Sequence, residues 1–345
     1  MHDFDLSPEH LTDVLQTDGV ISQAKVTAIS ANQFGQEFGF NGILLRLSLE
    51  YDRDEPKAPI TIVAKFSRDK SLAGKLHNES RFYRELSSEV GIRVPKVYLA
   101  EPHMLLLEDL APLQPGDVAA GCSAAEAVLI VSNLAKLHAF GWANPAFHSM
   151  QWLPRWPSNP EQMYDRFQRF FPLFLERFRD HVPTHMVDLT RILIGRLPLV
   201  VERLSDAPAT LIHVDLHLDN IFVELPDTVV LIDWPSVAIG PAAVDAAHFI
   251  TTSLKTEVRR ECADDIPAQY VAVLKQQGVK DYSAIDLERD MKLAALRCWA
   301  GMVTGYAAAD PAGLVPRQRE LQLIEMERMA IVAQDWQLNE FLLTL

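Results

Sequence analysis

The sequence predicts an α+β protein of two unequal parts, a small N-terminal β-rich lobe and a larger, mainly helical C-terminal lobe. Three observations carry this. Short alternating or β-branched runs crowd the first 110 residues, helical periodicity dominates after Leu110, and one hairpin-like stretch, Ile212 to Trp234, interrupts the helices. The 345 residues, 48% of them hydrophobic, suffice to fill two cores, and this length corresponds to about two domains of roughly 150 residues.

The elements follow in order. In Ser7–Gln16 a capping Ser, a Pro at the first helical position and apolar residues at helical spacing predict a short helix. Val20–Ser30, Gly42–Tyr51 and Pro59–Phe66 read as an antiparallel meander; in the second run Leu45, Leu47, Leu49 and Tyr51 alternate with Arg46, Ser48 and Glu50. Lys70–Val90 reads as a helix with Leu76, Phe82, Tyr83 and Leu86 on one face. Val94-Pro95 stops it before a strand pair that ends in Leu105–Leu110. Ser123–Phe140, Glu161–Arg179, His185–Leu204, Val258–Gln277 and Leu287–Ala309 are the predicted helices of the second part. The boundary is expected at a hinge, residues 105–110, which gives domains 1–107 and 108–345.

Composition excludes several classes. Lys plus Arg total 32 against 46 Asp plus Glu, a net charge of −14, which argues against nucleic-acid binding through phosphate neutralisation. Three scattered cysteines, Cys122, Cys262 and Cys298, make no disulfide framework. The acidic N-terminus does not read as a signal peptide and no apolar run reaches the roughly 18 residues of a membrane span, so a cytoplasmic protein without a membrane span is expected.

The chemistry concentrates in His213-Val214-Asp215-Leu216-His217-Leu218-Asp219-Asn220, followed thirteen residues after Asn220 by Asp233. An Asp and an Asn five residues apart on a loop, with a second Asp at the end of a returning hairpin, can converge and offer hard oxygen ligands to Mg²⁺. This arrangement resembles the catalytic loop of the protein-kinase-like superfamily. Within it, H-x-D-x-H-x-x-N followed by Ile232-Asp233-Trp234 is similar to the aminoglycoside phosphotransferase and choline kinase group, including its ecdysteroid-kinase-like branch.

The resemblance spans most of the sequence and implies a two-lobed protein-kinase-like fold that uses ATP and Mg²⁺ to phosphorylate a hydroxyl of a small molecule. It implies roles for individual residues. Asp215 would bind the acceptor hydroxyl and take its proton late in transfer; Asn220 and Asp233 would hold the metal; His213 and Asp245 would brace the loop. His217 has no assigned role, and His138 reads as a packed core histidine. In the first lobe, Gly35, Gly39 and Gly42 match a loop folded over phosphates, a run that also suits an ordinary hairpin with a bulge. Lys65, a lone charge near the end of an apolar strand, would contact the α and β phosphates and pair with Glu79 in E-x-x-F-Y, with Glu85 as the runner-up; a lysine snorkelling at a strand end is the bland alternative. Leu107 and Asp109 occupy the backbone positions that would meet the adenine edge.

Two departures stand out: Val214, a residue suited to ordinary backbone angles, replaces the usual Gly, and Pro235 follows Asp233-Trp234 where a polar residue is common. Neither removes a ligand, so a phosphotransferase is expected rather than a nucleotide-binding regulator without turnover. A protein-serine kinase is disfavoured because no A-P-E motif follows Asp233.

The acceptor is less legible. Eight of the 29 aromatics lie between Trp152 and Phe178, most of them three or four residues apart. One buried helix face explains them best; a wall for a lipophilic alcohol, or a cage for a quaternary ammonium as in a choline or ethanolamine kinase, is the sharper alternative. An aminoglycoside would want clustered carboxylates, but Asp310, Glu320, Glu325 and Glu327 alternate with Arg317, Arg319 and Arg328 and read as a solvated helix face.

Overall fold

The computed structural model describes residues 6–35, 42–67 and 70–345. They form two compact units, Met1–Ser88 with Val94–Pro112, and Glu89–Arg93 with Leu113–Leu345.

The first unit opens on α1 (Pro8–Thr17), whose start is fixed by the Ser7 hydroxyl accepting from the His10 N–H at 3.2 Å. Five antiparallel strands follow: β1 (Val26–Phe34), β2 (Gly42–Tyr51), β3 (Thr61–Ser67), β4 (Val97–Glu101) and β5 (Met104–Glu108), in sheet order β1-β2-β3-β5-β4. The alternation in β2 turns Leu47 and Leu49 onto a core shared with Ile62, Ala64 and Leu106 and closed by Leu11 and Leu15 of α1. β1 starts later than the expected Val20, because the N–H groups of Ser22, Gln23 and Ala24 donate to the Glu55 carboxylate at 2.5, 3.2 and 2.9 Å and are lost to any ladder. α2 (Lys70–Glu85) ends short of the expected Val90: the Ser87 N–H bonds back to Phe82 C=O at 3.0 Å and its hydroxyl donates to Tyr83 C=O, closing the last turn.

The second unit is mainly helical: α3 (Ala124–Gly141), α4 (Pro160–Phe178), α5 (Thr184–Ser205), α6 (Ala243–Ser253), α7 (Thr256–Glu261), α8 (Asp265–Gln276), α9 (Ala284–Ala308), α10 (Pro316–Asp335) and α11 (Leu338–Thr344). Its strands are β6 (Ala209–Ile212), β7 (Ile221–Glu224), β8 (Thr228–Leu231) and β9 (Ala238–Pro241). The single expected hairpin is thus two ladders, β7 with β8 nested inside β6 with β9. The expected helix over 258–277 is also two, since Pro267 has no N–H to extend α7 through Ala263 and its ring crowds the preceding turn. α6, not foreseen as a helix, supplies Asp245.

Close packing sets this unit's centre. A Cβ on Gly141 would lie 2.4 Å from the Leu211 nitrogen, so only glycine lets α3 come this near β6. In α4 the buried residues are Phe167, Phe171, Phe174 and Phe178, one helical stripe; Phe174 meets the buried Trp299 of α9 edge-on at 5.5 Å. The bland reading of the aromatic cluster therefore holds for these rings. Among the described residues no helix is long and apolar enough to cross a membrane.

Candidate active site

Candidate residues fall in both units, and each set stands on its own geometry. In the first, Lys65 lies on β3 opposite Leu44 and Leu105, and its Nζ meets Glu79 Oε2 of α2 at 2.6 Å with both side chains buried. Glu85 pairs instead with Arg81 at 2.7 Å, which decides between the two expected partners. An apolar strand tolerates this lysine because a carboxylate neutralises it. Gly35 follows β1 with φ +79°, a left-handed backbone that favours glycine, and a Cβ there would press on the Leu44 side chain at 3.1 Å. Gly42 opens β2, while Gly39 lies outside the described residues.

The expectation for Leu107 needs correction. β5 runs on through Glu108, whose N–H donates to Lys96 C=O on the β4 side at 2.8 Å. Backbone groups alternate sides along a strand, so those of Leu107 face β3, where Val63 is its partner, and are not available to a ligand. Asp109 is the first residue beyond the strand. Burial opposes charge on its carboxyl, but a two-pronged bond from Arg46 (2.7 and 3.1 Å) and the Ala111 N–H outweigh it and hold its pKa below the usual value.

In the second unit the loop after β6 carries His213 to Asn220, and Asp245 of α6 organises it. The fully buried Asp245 carboxylate accepts from the N–H groups of His213 and Val214, both at 2.7 Å, and faces His138 Nε2 at 3.3 Å. Burial pushes its pKa up, yet the His138 contact, the nearby His213 ring and the backbone N–H outweigh it and keep the carboxyl below the usual range. The His138 ring also meets the Tyr270 hydroxyl through Nδ1, so it is a core histidine that joins α3, α6 and α8. His213 lies against Trp234, ring centres 4.6 Å apart, and its Nε2 meets Ile232 C=O at 2.8 Å.

Val214 does not take the ordinary angles expected of it. Its φ is +74°, a left-handed conformation that β-branched residues strongly avoid, and it is held there by Asp245 at its N–H and by His248 Nδ1 at its C=O (3.2 Å). Asp233 is also left-handed, with φ +65°, which Asp tolerates far better.

The Asn220 amide donates through Nδ2 to the backbone carbonyl of Asp215 at 2.9 Å, a bond only its nitrogen can make, so Oδ1 points elsewhere. The Ile232 N–H bonds to Asn220 C=O at 3.1 Å, which brings the residue before Asp233 alongside Asn220. Two oxygen donors, an amide and a carboxylate, therefore stand on neighbouring backbones, a set that suits a hard cation completed by phosphate and water. Among the described residues no group of three or more His, Cys, Asp or Glu side chains forms a self-sufficient metal cluster.

The Asp215 carboxylate, half exposed and 3.9 Å from His217 Nε2, opens onto a cavity of about 370 Å³. Val214, His217, Val244, His248 and residues of α9 and α10 complete its wall. Among its titratable side chains sequence reasoning missed Arg297, Tyr306 and His248, and misplaced Glu325. That residue is no solvated face: the Tyr306 hydroxyl donates to it, and burial raises its pKa despite that bond. None of the eight aromatics from Trp152 to Phe178 lines the cavity, and Tyr306 is its one phenyl or indole-type ring among the described residues. The placement of Arg297, Gly301 and Glu325 beside this loop had no signal in one sequence, because it depends on how α9 and α10 cross it.

The model of a phosphotransferase enzyme family matches residues 47–285, which include Lys65, Glu79, the 213–220 loop, Asp233 and Asp245. The chain belongs to this family. Solved structures agree in fold along nearly all of the phosphotransferase. Choline kinase from Cryptosporidium parvum Iowa II is 12% identical with a TM-score of 0.56, covering 96% of this protein and 98% of that one. Spectinomycin phosphotransferase, solved with ADP and spectinomycin, is 12% identical with a TM-score of 0.54 and coverages of 97% and 100%. Macrolide 2'-phosphotransferase from Brachybacterium faecium is 15% identical with a TM-score of 0.52 and coverages of 92% and 98%. At such identities the shared property is the protein-kinase-like α+β fold. A sequence search of curated proteins finds no match.

Proposed function

We propose that this phosphotransferase transfers the γ-phosphate of ATP, with Mg²⁺, to a hydroxyl of a small molecule held in the cavity beside Asp215. The observation that carries the reading is a carboxylate at the wall of that cavity, on a loop whose backbone is clamped on both sides, by Asp245 and by Asn220. Asp215 accepts the hydroxyl's hydrogen bond, aims its oxygen in line and takes the proton late in transfer. The first unit serves as the nucleotide domain: Lys65, oriented by Glu79, contacts the α and β phosphates, the backbone at Gly35 and Gly42 approaches them, and backbone groups at Asp109 meet the base. Asn220 and Asp233 hold the metal, whose chemistry when bound is to neutralise charge developing on the phosphates. Catalysis then rests on positioning and charge, supplied by residues that are already fixed.

A cytoplasmic setting fits the three free cysteines. A choline-type acceptor is poorly served, since among the described residues the cavity has the Tyr306 ring rather than an aromatic cage. The test is ADP release across a panel of alcohols, with phosphorylated product identified by mass spectrometry, for wild type and Asp215→Asn. Product formation that falls about 10²- to 10⁴-fold in the variant, with ATP binding retained, supports the reading. ATP binding without product from any alcohol in the wild type would favour a nucleotide-binding regulator.

A further inference from the structure

The cavity wall contains a cation that the phosphoryl-transfer reading leaves unused. Arg297, on α9, lines the cavity, and among the described residues its guanidinium has no ion-pair or hydrogen-bond partner. Its Nε is buried and unsatisfied, while its terminal nitrogens remain accessible. The guanidinium is stacked 4.9 Å over the ring of Trp156, which fixes its plane without supplying a counter-charge. One turn further along α9, Gly301 has no side chain; a Cβ there would lie 3.5 Å from Arg297 Nη1, so the cavity side of the guanidinium is left open. Burial lowers the pKa of Arg297 from its ordinary value, but arginine stays charged in proteins, so the group cannot escape desolvation by losing its proton.

The acids of the same cavity do not offset it. Glu325 is engaged by Tyr306, and Asp215 is nearest to His217. Neither carboxylate is within ion-pair distance of Arg297. A partly desolvated, unpaired guanidinium facing an open cavity is unfavourable until an oxyanion arrives, and its planar two-pronged geometry suits a carboxylate or a similar oxyanion. A cationic acceptor would meet repulsion at this position.

We infer that the acceptor is an anionic alcohol, a hydroxy acid whose carboxylate or comparable oxyanion binds Arg297 while its hydroxyl lies at Asp215. This rests on the phosphotransferase reading for the hydroxyl end only; the anion site stands on the cavity itself. Apolar lining from Val214, Val244, Ala294 and Met302 fits a hydrocarbon spacer between the two polar ends.

The experiment uses the full-length protein and three matched probe series: unbranched ω-hydroxycarboxylates of about three to eight carbons, their primary amides, and the corresponding amino alcohols. Calorimetric titration gives affinity for wild type, Arg297→Gln and Arg297→Lys, and ADP release with ATP and Mg²⁺ is followed in parallel. Carboxylates are expected to bind about 10- to 100-fold more tightly than amides in the wild type, the span of a hydrogen-bonded charged pair, and amino alcohols weakest. The preference should fall to within about twofold in Arg297→Gln and be partly restored in Arg297→Lys. Equal affinity for carboxylates and amides in the wild type, or a preference unchanged in Arg297→Gln, overturns the inference. Should Arg297→Gln fail to fold, the wild-type comparison and Arg297→Lys still decide it. Binding preference without ADP release would refute the phosphotransferase reading and keep the anion site; turnover of amides or amino alcohols with no carboxylate preference would do the reverse.

Discussion

Val214→Gly and Val214→Ala together test whether the loop holding Asp215 stores backbone strain. Both remove the half-buried isopropyl group, so the lost packing is common to them and their difference isolates the backbone. At φ +74° an L-residue such as Ala still bears about 1–2 kcal/mol of left-handed strain, whereas Gly bears none. Against this, Gly leaves the unfolded state freer, which costs about 0.4–1 kcal/mol. The glycine variant should therefore be more stable than the alanine variant by up to about 1.5 kcal/mol, centred near ~0.8. At an ordinary position the order would be reversed, since Gly is poorer than Ala by about 0.5–1 kcal/mol. Urea titrations read the difference as a shift in midpoint at unchanged slope. Val214→Gly less stable than Val214→Ala by about half a kcal/mol or more would refute a left-handed residue 214 and, with it, the clamp described for Asp245.

Three further outcomes follow from the same geometry. Lys65→Met should destabilise by about 3–5 kcal/mol because Glu79 stays buried without its ammonium, and Lys65→Met with Glu79→Met should recover most of the loss in denaturant titrations; a double variant no better than the single would show that the pair is not what the site responds to. Asp245→Asn should cost about 3–5 kcal/mol near neutral pH. Because the folded pKa of Asp245 is lowered, its contribution is complete above the unfolded value and fades as pH falls through the folded one, so the variant's deficit should shrink in acid melts; a deficit that grows with acidity would contradict the sign. Gly195→Ala, in the interior of α5 with nothing within 4 Å of the added Cβ, should raise stability by about 0.5–1 kcal/mol, and thermal melting at two scan rates would expose any loss instead.

The sequence by itself determined which candidate residues the protein carries and in what order. Short-range signals did this: the Ser7 and Ser123 caps, the alternation in Gly42–Tyr51, and the Asp215, Asn220, Asp233 spacing are all local, readable without knowing what touches what. It also left Glu79 and Glu85 as alternatives and pictured Glu325 on a solvated face, since neither pairing across elements nor the depth of a helix face is encoded locally. Tertiary structure decided those points. β3 against α2 brings Lys65 to Glu79, the clamp from α6 forces Val214 into a conformation its side chain disfavours, and α9 and α10 carry Arg297 and Glu325 into the wall beside Asp215. The physical reason is the same in each case: a buried charge or a strained backbone is intelligible only from its partners, and those partners lie far away in the sequence.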